Sequence, residues 1–294
     1  MNLLATLLSA IGRRLRMRGV HRVIAMAFPI GFNSRRYAEG VATRQDGLLM
    51  RIDTRNHIDW QIYFTGGFEP HVSCLISQVL GAGDVAVDVG ANIGTHALEM
   101  AQAVGRGGQV FAFEPSPAVR AALAENVRLN GFESVVTVLD KAVGETPGSA
   151  VLRVPLEGDK HFSNQGLASL SAFDAPHREV PVEVVCLDDF LEEGRVALVK
   201  IDVQGYDAKV VRGMARCLAR CHPVVVFEYE AWAWEQSGET LDSLLAWLTS
   251  QGYAAHELTL AAGRLALRPL QEGAAPGGHG DIVAVHANSA WPRR

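Results

Sequence analysis

The sequence predicts an α/β protein built on a doubly wound, mostly parallel sheet of seven strands. From residue 84 onward, short apolar runs that end in glycine or an acid alternate with amphipathic segments. Such alternation is typical of parallel strands joined by helices that cover both faces of a sheet. The 294 residues suffice for one such domain with additions, and a hydrophobic content of 48% supplies its core.

Residues 1–45 differ in composition from the predicted domain at residues 46–294. Leucines recur there at helical spacing, and five arginines lie between Arg13 and Arg22. A basic amphipathic helix of this kind is typical of peripheral attachment to an anionic membrane, here through residues 1–22. The alternative is a helix that packs on the domain or on a second subunit.

Charge, hydropathy and cysteine usage favour a cytoplasmic protein. The N-terminal segment is then predicted to contact the inner face of the membrane. The net charge of −5 excludes a general basic field for nucleic acid. No run is apolar enough to span a bilayer, and apolar residues precede the arginines, the reverse of a signal peptide. The four cysteines show no CxxC spacing, and Cys217 and Cys221 extend an apolar helical stripe, which predicts core packing.

The predicted elements follow in order along the chain. Apolar runs predict strands at 47–53, 84–90, 109–115, 135–143, 197–203, 223–230, 254–258 and 281–286, the first of them ahead of the sheet. Amphipathic spacing predicts helices at 68–80, 95–104, from Ser116 to Gly131, 206–221 and 240–251. The alternation is interrupted at residues 146–190, which predict a β-rich insert with a polar loop at 164–166.

The turn after the first strand of the sheet predicts a nucleoside cofactor. In such sheets a ligand lies beyond the carboxyl ends of the strands, and Gly90 and Gly94 permit a tight turn and a close helix start there. Glu114 ends the next strand, where a carboxylate can accept both ribose hydroxyls of an adenosine. Asp88, at the mouth of the turn, would repel a pyrophosphate but suits a cofactor with an ammonium group and a sulfonium. The alternative for Asp88 is a strand-end residue that caps the turn.

Three motifs resemble successive signatures of the FkbM family of S-adenosylmethionine-dependent methyltransferases. They are VDVGANIG at 87–94, FEP at 113–115 and VKIDVQG at 199–205, and their order and spacing match over roughly residues 50–290. The resemblance implies a Rossmann-like class I methyltransferase fold and S-adenosylmethionine as the methyl donor. FTGGFEP at 64–70 is similar to the family's segment in which a glutamate approaches the cofactor.

The resemblance also implies which positions bind the cofactor. Its methionine part is expected against Gly90, Asn92, Gly94, Thr95 and His96, with Glu69 nearby, its ribose against Glu114, and its adenine near Lys141 and Ala142. Two of these residues, His96 and Lys141, also have alternative interpretations without a role in binding. His96 could be a half-buried helix residue, and Lys141 could be solvated.

Two acids are the predicted catalytic residues. Methyl transfer to a hydroxyl needs alignment and a base that removes the hydroxyl proton. Asp202 and Glu228 end two strands expected to be neighbours, so their carboxylates can meet in one cavity. Lys200 shares the face of Asp202 by strand alternation, and the alternative is an internal ion pair between them. Mg²⁺ held by the clustered acids is a further alternative, although our prediction is that no metal is needed.

The sequence departs from the family pattern at one place. Family chains usually carry K-x-D-x-E-G-x-E after this strand, whereas Gln204 and Asp207 replace the two glutamates here. Gln204 cannot act as a base, which leaves Asp202 as the main candidate. An inactive, methyltransferase-like binding protein is therefore one rival interpretation. An NAD-dependent oxidoreductase is the other, and the turn sequence disfavours it.

Negative evidence points to the acceptor. No [DN]-P-P-[YFW] tetrapeptide and no Pro-Cys pair is present, so the motifs of enzymes that methylate nucleobases are missing. The predicted acceptor is a hydroxyl of a sugar, glycolipid or polyketide-type small molecule, under a cap formed by the insert.

Overall fold

The computed structural model describes residues 38–156, 176–191, 194–271, 273 and 277–291. The predicted membrane-contact segment at 1–22 and the polar loop at 164–166 lie outside these ranges.

The strands and helices are numbered along the described chain. The strands are β1 (Glu39–Thr43), β2 (Leu49–Asp53), β3 (Val85–Val89), β4 (Gln109–Phe113), β5 (Val136–Leu139), β6 (Lys141–Val143), β7 (Gly148–Pro155), β8 (His177–Val185), β9 (Val196–Ile201), β10 (Val224–Glu230), β11 (Tyr253–Ala261), β12 (Arg264–Pro269) and β13 (His279–His286). The helices are α1 (His57–Thr65), α2 (Pro70–Val79), α3 (Thr95–Val104), α4 (Pro117–Leu129), α5 (Leu187–Phe190), α6 (Asp207–Arg212), α7 (Ala215–Cys221), α8 (Ala231–Ser237) and α9 (Leu241–Ser250).

The central sheet confirms the predicted fold class. Its strand order is β12-β11-β13-β10-β9-β3-β4-β5, with the five strands from β10 to β5 parallel and the other three antiparallel. It has eight strands rather than seven, because the predicted strand at 254–258 continues into a hairpin. Ala262 and Gly263 form the hairpin turn, both with positive φ (52° and 76°), and β12 is its second arm.

Helices cover both faces of this sheet, as doubly wound topology requires. On one face, Ala86 and Leu198 pack with residues of α2, α3 and α4. On the other face, Val87 and Val199 pack with residues of α6, α7, α8 and α9. Because side chains alternate along a strand, Lys200 shares the first face with Leu198, and it pairs in register with Asp88 of β3.

Two predicted elements are divided in the structure. The strand predicted at 135–143 breaks at Asp140, so β5 joins the central sheet while β6 joins a separate sheet with β8 and β7. The helix predicted at 206–221 breaks at Gly213. A Cβ there would lie 2.3 Å from the carbonyl oxygen of Gly144, so the chain passes this loop too closely for a side chain.

Helix α1 was not predicted, because its apolar and polar residues are not separated onto two faces. Its buried residues include Trp60, Ile62 and Phe64, which occupy alternate positions as in a strand. The predicted core role of Cys217 and Cys221 is confirmed, since both are free and buried. Within the described ranges no helix is long and apolar enough to cross a membrane.

Candidate functional site

A cavity of about 350 Å³ opens at the carboxyl ends of the parallel strands. It lies where the chain order reverses between β3 and β9, the place at which doubly wound sheets bind ligands. All the predicted site residues line it except Asp88 and Gly94. Glu230, which ends the same strand as Glu228, also lines it, whereas sequence reasoning missed several lining residues, among them His57, Ile58, Phe68, Leu152 and His279.

The turn after β3 is shaped by two glycines with different roles. Gly90 has φ 77°, and an added Cβ would lie 1.9 Å from the carbonyl oxygen of Asp202. Gly90 therefore lets the turn pass against the end of β9, as predicted. Gly94 has φ 94°, but its missing Cβ makes room for Leu123 of α4, at 2.6 Å, and not for a ligand. Its predicted approach to the cofactor is thus replaced by packing between helices.

Glu114 is held at the cavity wall by two backbone amides. The N–H of Asn92 donates to Oε2 at 3.0 Å, and the N–H of Ser116 donates to Oε1 at 2.8 Å. Burial raises the pKa of Glu114 to about 7, and these two hydrogen bonds oppose the rise. Each carboxylate oxygen has a second lone pair, so Glu114 can still accept two hydroxyl groups from a ligand. Ser116 is the N-cap residue before α4, but its hydroxyl makes no capping bond.

Unpaired polar atoms mark the same part of the site. Thr95 lines the cavity, and its hydroxyl is buried and has no hydrogen-bond partner among the described residues. Both carboxylate oxygens of Asp88 are also buried and without such a partner, although Lys200 Nζ lies 3.9 Å from one of them. Asp88 lies beneath the cavity and not at the mouth of the turn, which corrects its predicted placement. Its burial raises its pKa, and the charge of Lys200 opposes this.

Glu69 and His96 meet at the opposite wall. Glu69 precedes α2 with a left-handed backbone (φ 42°), and its Oε2 lies 2.9 Å from Nε2 of His96. Burial would raise the pKa of Glu69, but the bond to His96 and the nearby charges of Lys200 and His71 lower it to about 2. Glu69 is thus a carboxylate at neutral pH, facing the cavity.

The two predicted catalytic acids meet across Gln204. Asp202 Oδ2 accepts a hydrogen bond from Lys200 Nζ at 3.1 Å, and the amide nitrogen of Gln204 lies 3.4 Å from Asp202 Oδ1 and from Glu228 Oε2. Gln204 has φ 52°. The ion pair between Lys200 and Asp202 that was the alternative is thus present, and Lys200 also lines the cavity. Its pKa is raised, because nearby carboxylates outweigh its burial.

Glu228 differs electrostatically from Asp202. Burial, followed by the negative charges of Asp202, Asp207, Asp281 and Glu230, raises the pKa of Glu228 to about 10. A carboxyl group that is neutral at pH 7 donates a hydrogen bond and does not accept a proton. Of the two acids, Asp202 therefore has the surroundings of a base.

The end of the cavity that is predicted to hold adenine lies near β6. Lys141 and Ala142 line it together with Leu152, which comes from β7 of the insert. Lys141 forms an ion pair with Glu183. In the described part of the chain, no three His, Cys, Asp or Glu residues are arranged to hold a metal ion.

Comparisons with known proteins agree with this geometry. The family profile described as "Methyltransferase FkbM domain" matches residues 88–255. Hexuronic acid methyltransferase AglP of Haloferax volcanii is 30% identical over 171 residues, which cover 57% of this chain and 64% of that protein. The match thus spans less than two thirds of AglP. Methyltransferase sdnD of Sordaria araneosa is 28% identical over 185 residues, 53% of this chain and 70% of that protein.

The methyltransferase FkbM from Methylobacillus flagellatus KT superposes with a TM-score of 0.44 at 16% sequence identity. That superposition covers 77% of this chain and 52% of the other.

Proposed function

The chain belongs to the FkbM methyltransferase family, and from that premise we propose that it transfers a methyl group from S-adenosylmethionine to a hydroxyl of a sugar, glycolipid or polyketide-type small molecule. One observation carries the proposal. A single cavity is lined both by residues of the turn after β3, together with Glu114, and by the strand-end acids Asp202 and Glu228. The donor and acceptor halves of a transfer reaction thus share one space.

The residues present fit the donor. The free lone pairs of Glu114 can accept hydrogen bonds from a polar nucleoside, and the unpaired Thr95 hydroxyl can donate one or accept one. Glu69 supplies a carboxylate for an ammonium group. In this proposal Glu114 holds the ribose, Lys141 and Ala142 flank the adenine, and Asn92, Thr95 and His96 line the methionine part. When bound, S-adenosylmethionine supplies a methyl group activated by its sulfonium.

The acceptor chemistry assigns one task to each acid. Asp202, held by Lys200 at 3.1 Å, accepts the hydroxyl proton as the methyl group is transferred. General-base catalysis of this kind typically raises the reaction rate about 10²–10⁴-fold. Neutral Glu228 donates a hydrogen bond to a second oxygen of the acceptor. A polyhydroxylated molecule offers both groups, and the hexuronic acid named for AglP supports a sugar acceptor.

Calorimetric titration followed by labelling tests this function against its rivals. Purified protein should bind S-adenosylhomocysteine and not NAD. With a labelled methyl donor and cell extract it should then yield a labelled small molecule, whose hydroxyl is identified by mass spectrometry. Binding of NAD alone would indicate an oxidoreductase. Cofactor binding without any labelled product would indicate a binding protein.

A further inference from the structure

A series of four hydrogen-bonded or ion-paired side chains leads away from the cavity on the Glu69 side. This chain runs from Glu69 to His96, to Glu99 and to Arg44. Only Glu69 and His96 line the cavity, so Glu99 and Arg44 act on a ligand through them.

His96 is held on both edges of its ring. Nε2 lies 2.9 Å from Glu69 Oε2, and Nδ1 lies 3.0 Å from Glu99 Oε2. His96 and Glu99 are one turn apart on α3, so both face the same side of that helix. The ring also packs against Phe68, with centroids 6.2 Å apart. His96 is 3% exposed, and these contacts leave the ring little freedom to turn.

Glu99 is anchored in turn from two directions. Its Oε1 accepts a hydrogen bond from the hydroxyl of Ser73 at 2.9 Å and forms an ion pair with Arg44. Arg44 follows β1, is buried, and also donates to the carbonyl oxygen of Thr95 at 2.9 Å. The positive charge of Arg44 offsets the negative charge of Glu99 within the core, and Arg44 also pairs with Asp46 at 2.8 Å. The carboxylate at the other end of the chain, Glu69, faces the cavity.

Glu69 itself needs such support. It is a non-glycine residue with φ 42° and ψ 66°, and its side chain has no capping bond to α2. A carboxylate on a flexible side chain binds a cation weakly, because ordering it costs conformational entropy. The bond from His96 fixes the direction of Glu69 before a ligand arrives.

We propose that His96, Glu99 and Arg44 form a positioning chain that holds Glu69 toward the ammonium group of the methyl donor. The proposal rests on the proposed function, because it assumes that S-adenosylmethionine occupies the cavity. It assigns Glu99 and Arg44, which do not touch the cavity, a part in donor affinity. It also makes the loop between β1 and β2, which carries Arg44, a determinant of the cofactor site.

A double-mutant cycle on ligand affinity tests the chain. Glu69→Gln, His96→Gln and the double variant are titrated with S-adenosylhomocysteine, with Glu125→Gln as the control. Glu125 pairs with Arg51 outside the cavity at 3.2 Å, so its loss should leave affinity unchanged. Each single variant should weaken binding about tenfold, or about 1.4 kcal/mol. His96→Gln should add less than about twofold once Glu69 is already Gln.

5′-Methylthioadenosine, which lacks the amino-acid part, separates positioning from collapse of the pocket. Its affinity should be the same in wild type and His96→Gln if His96 acts through Glu69. Additive losses in the cycle, or equal losses for both ligands, would overturn the proposal. If His96→Gln does not fold, Glu99→Gln tests the same chain from its other side. A wild-type protein that binds neither ligand would refute the proposed function itself.

Discussion

Lys200 Nζ lies 3.1 Å from a carboxylate oxygen of Asp202, and both side chains face one cavity at the ends of parallel strands. The same ammonium group lies 3.9 Å from buried Asp88 on the neighbouring strand. One lysine thus stabilises two acids, one in the wall and one beneath it. This arrangement distinguishes Asp202 from Glu228, which has carboxylates as its main charged neighbours.

Asp202→Asn should remove the base while keeping the size and shape of the side chain. We expect kcat to fall about 10²-fold or more, because asparagine cannot accept the proton of the acceptor hydroxyl. Affinity for S-adenosylhomocysteine should change far less. Steady-state kinetics and calorimetry on the same preparation measure both quantities.

A chelator and a second variant complete this test. If Asp202 acts alone, chelation has no effect. Inactivation that Mg²⁺ restores would make Asp202 a metal ligand together with Glu228. Near-normal turnover of Asp202→Asn on the true acceptor would contradict the assignment and make Glu228 the next candidate.

Donor affinity should depend on pH through Glu114. Burial raises the pKa of Glu114 to about 7, so the carboxylate that accepts ribose hydroxyls forms only as pH rises through that value. Binding of S-adenosylhomocysteine should therefore strengthen between pH 6 and pH 8. Glu114→Gln should bind at least about tenfold more weakly at pH 8, since hydrogen bonds to a charged group contribute about 1.5–3 kcal/mol each. A pH slope that persists in Glu114→Gln would contradict this.

The contribution of Glu114 to protein stability should change with pH in the opposite direction to donor affinity. An acid whose folded pKa is raised binds more protons in the folded state than in the unfolded state between the two values. Its contribution to the free energy of unfolding is therefore lost as pH rises from about 4.5, the unfolded value, to about 7. Urea unfolding of wild type and Glu114→Gln across this range isolates the contribution as the difference between their slopes.

Gly90→Ala should disrupt the turn that carries the site. The new Cβ would lie 1.9 Å from the carbonyl oxygen of Asp202, at φ 77°. The clash and the left-handed backbone together should lower the free energy of unfolding by about 2–4 kcal/mol. Gly131→Ala is the matched control, because φ is 67° there and nothing lies within 4 Å. Gly131→Ala should lower the free energy of unfolding by only about 1 kcal/mol. If denaturant unfolding gave the same loss for both variants, the contact with Asp202 would not be the cause of the loss in Gly90→Ala.

Residues 1–22 remain a predicted membrane-contact segment. Each arginine close to an anionic surface contributes about 1 kcal/mol of attraction. Deletion of residues 1–20 should abolish sedimentation with anionic vesicles and leave binding of S-adenosylhomocysteine intact. If the full-length protein does not sediment with such vesicles, the segment is a packing or subunit-contact helix.

The sequence by itself determined the parallel sheet, the turn at Gly90, and the acids at the strand ends. These depend on patterns local in the chain: apolar runs of strand length, a glycine where φ is positive, and an acid immediately after a strand. The rule that ligands lie at the switch point then brought Asp202, Glu228 and Glu114 to one cavity. Helix α1 escaped prediction because its apolar residues lack a clear face.

Only the tertiary structure decided how these residues are paired. Arg44 and Glu99 are 55 residues apart, and Gly94 meets Leu123 of another helix. Asp88 proved to lie beneath the cavity because its neighbours on β4 and β9 enclose it, which no local pattern shows. The charge states of Glu228 and Glu114 depend on burial and on carboxylates from distant segments. Such properties arise when the chain packs, because the interactions that set them act through space and not along the sequence.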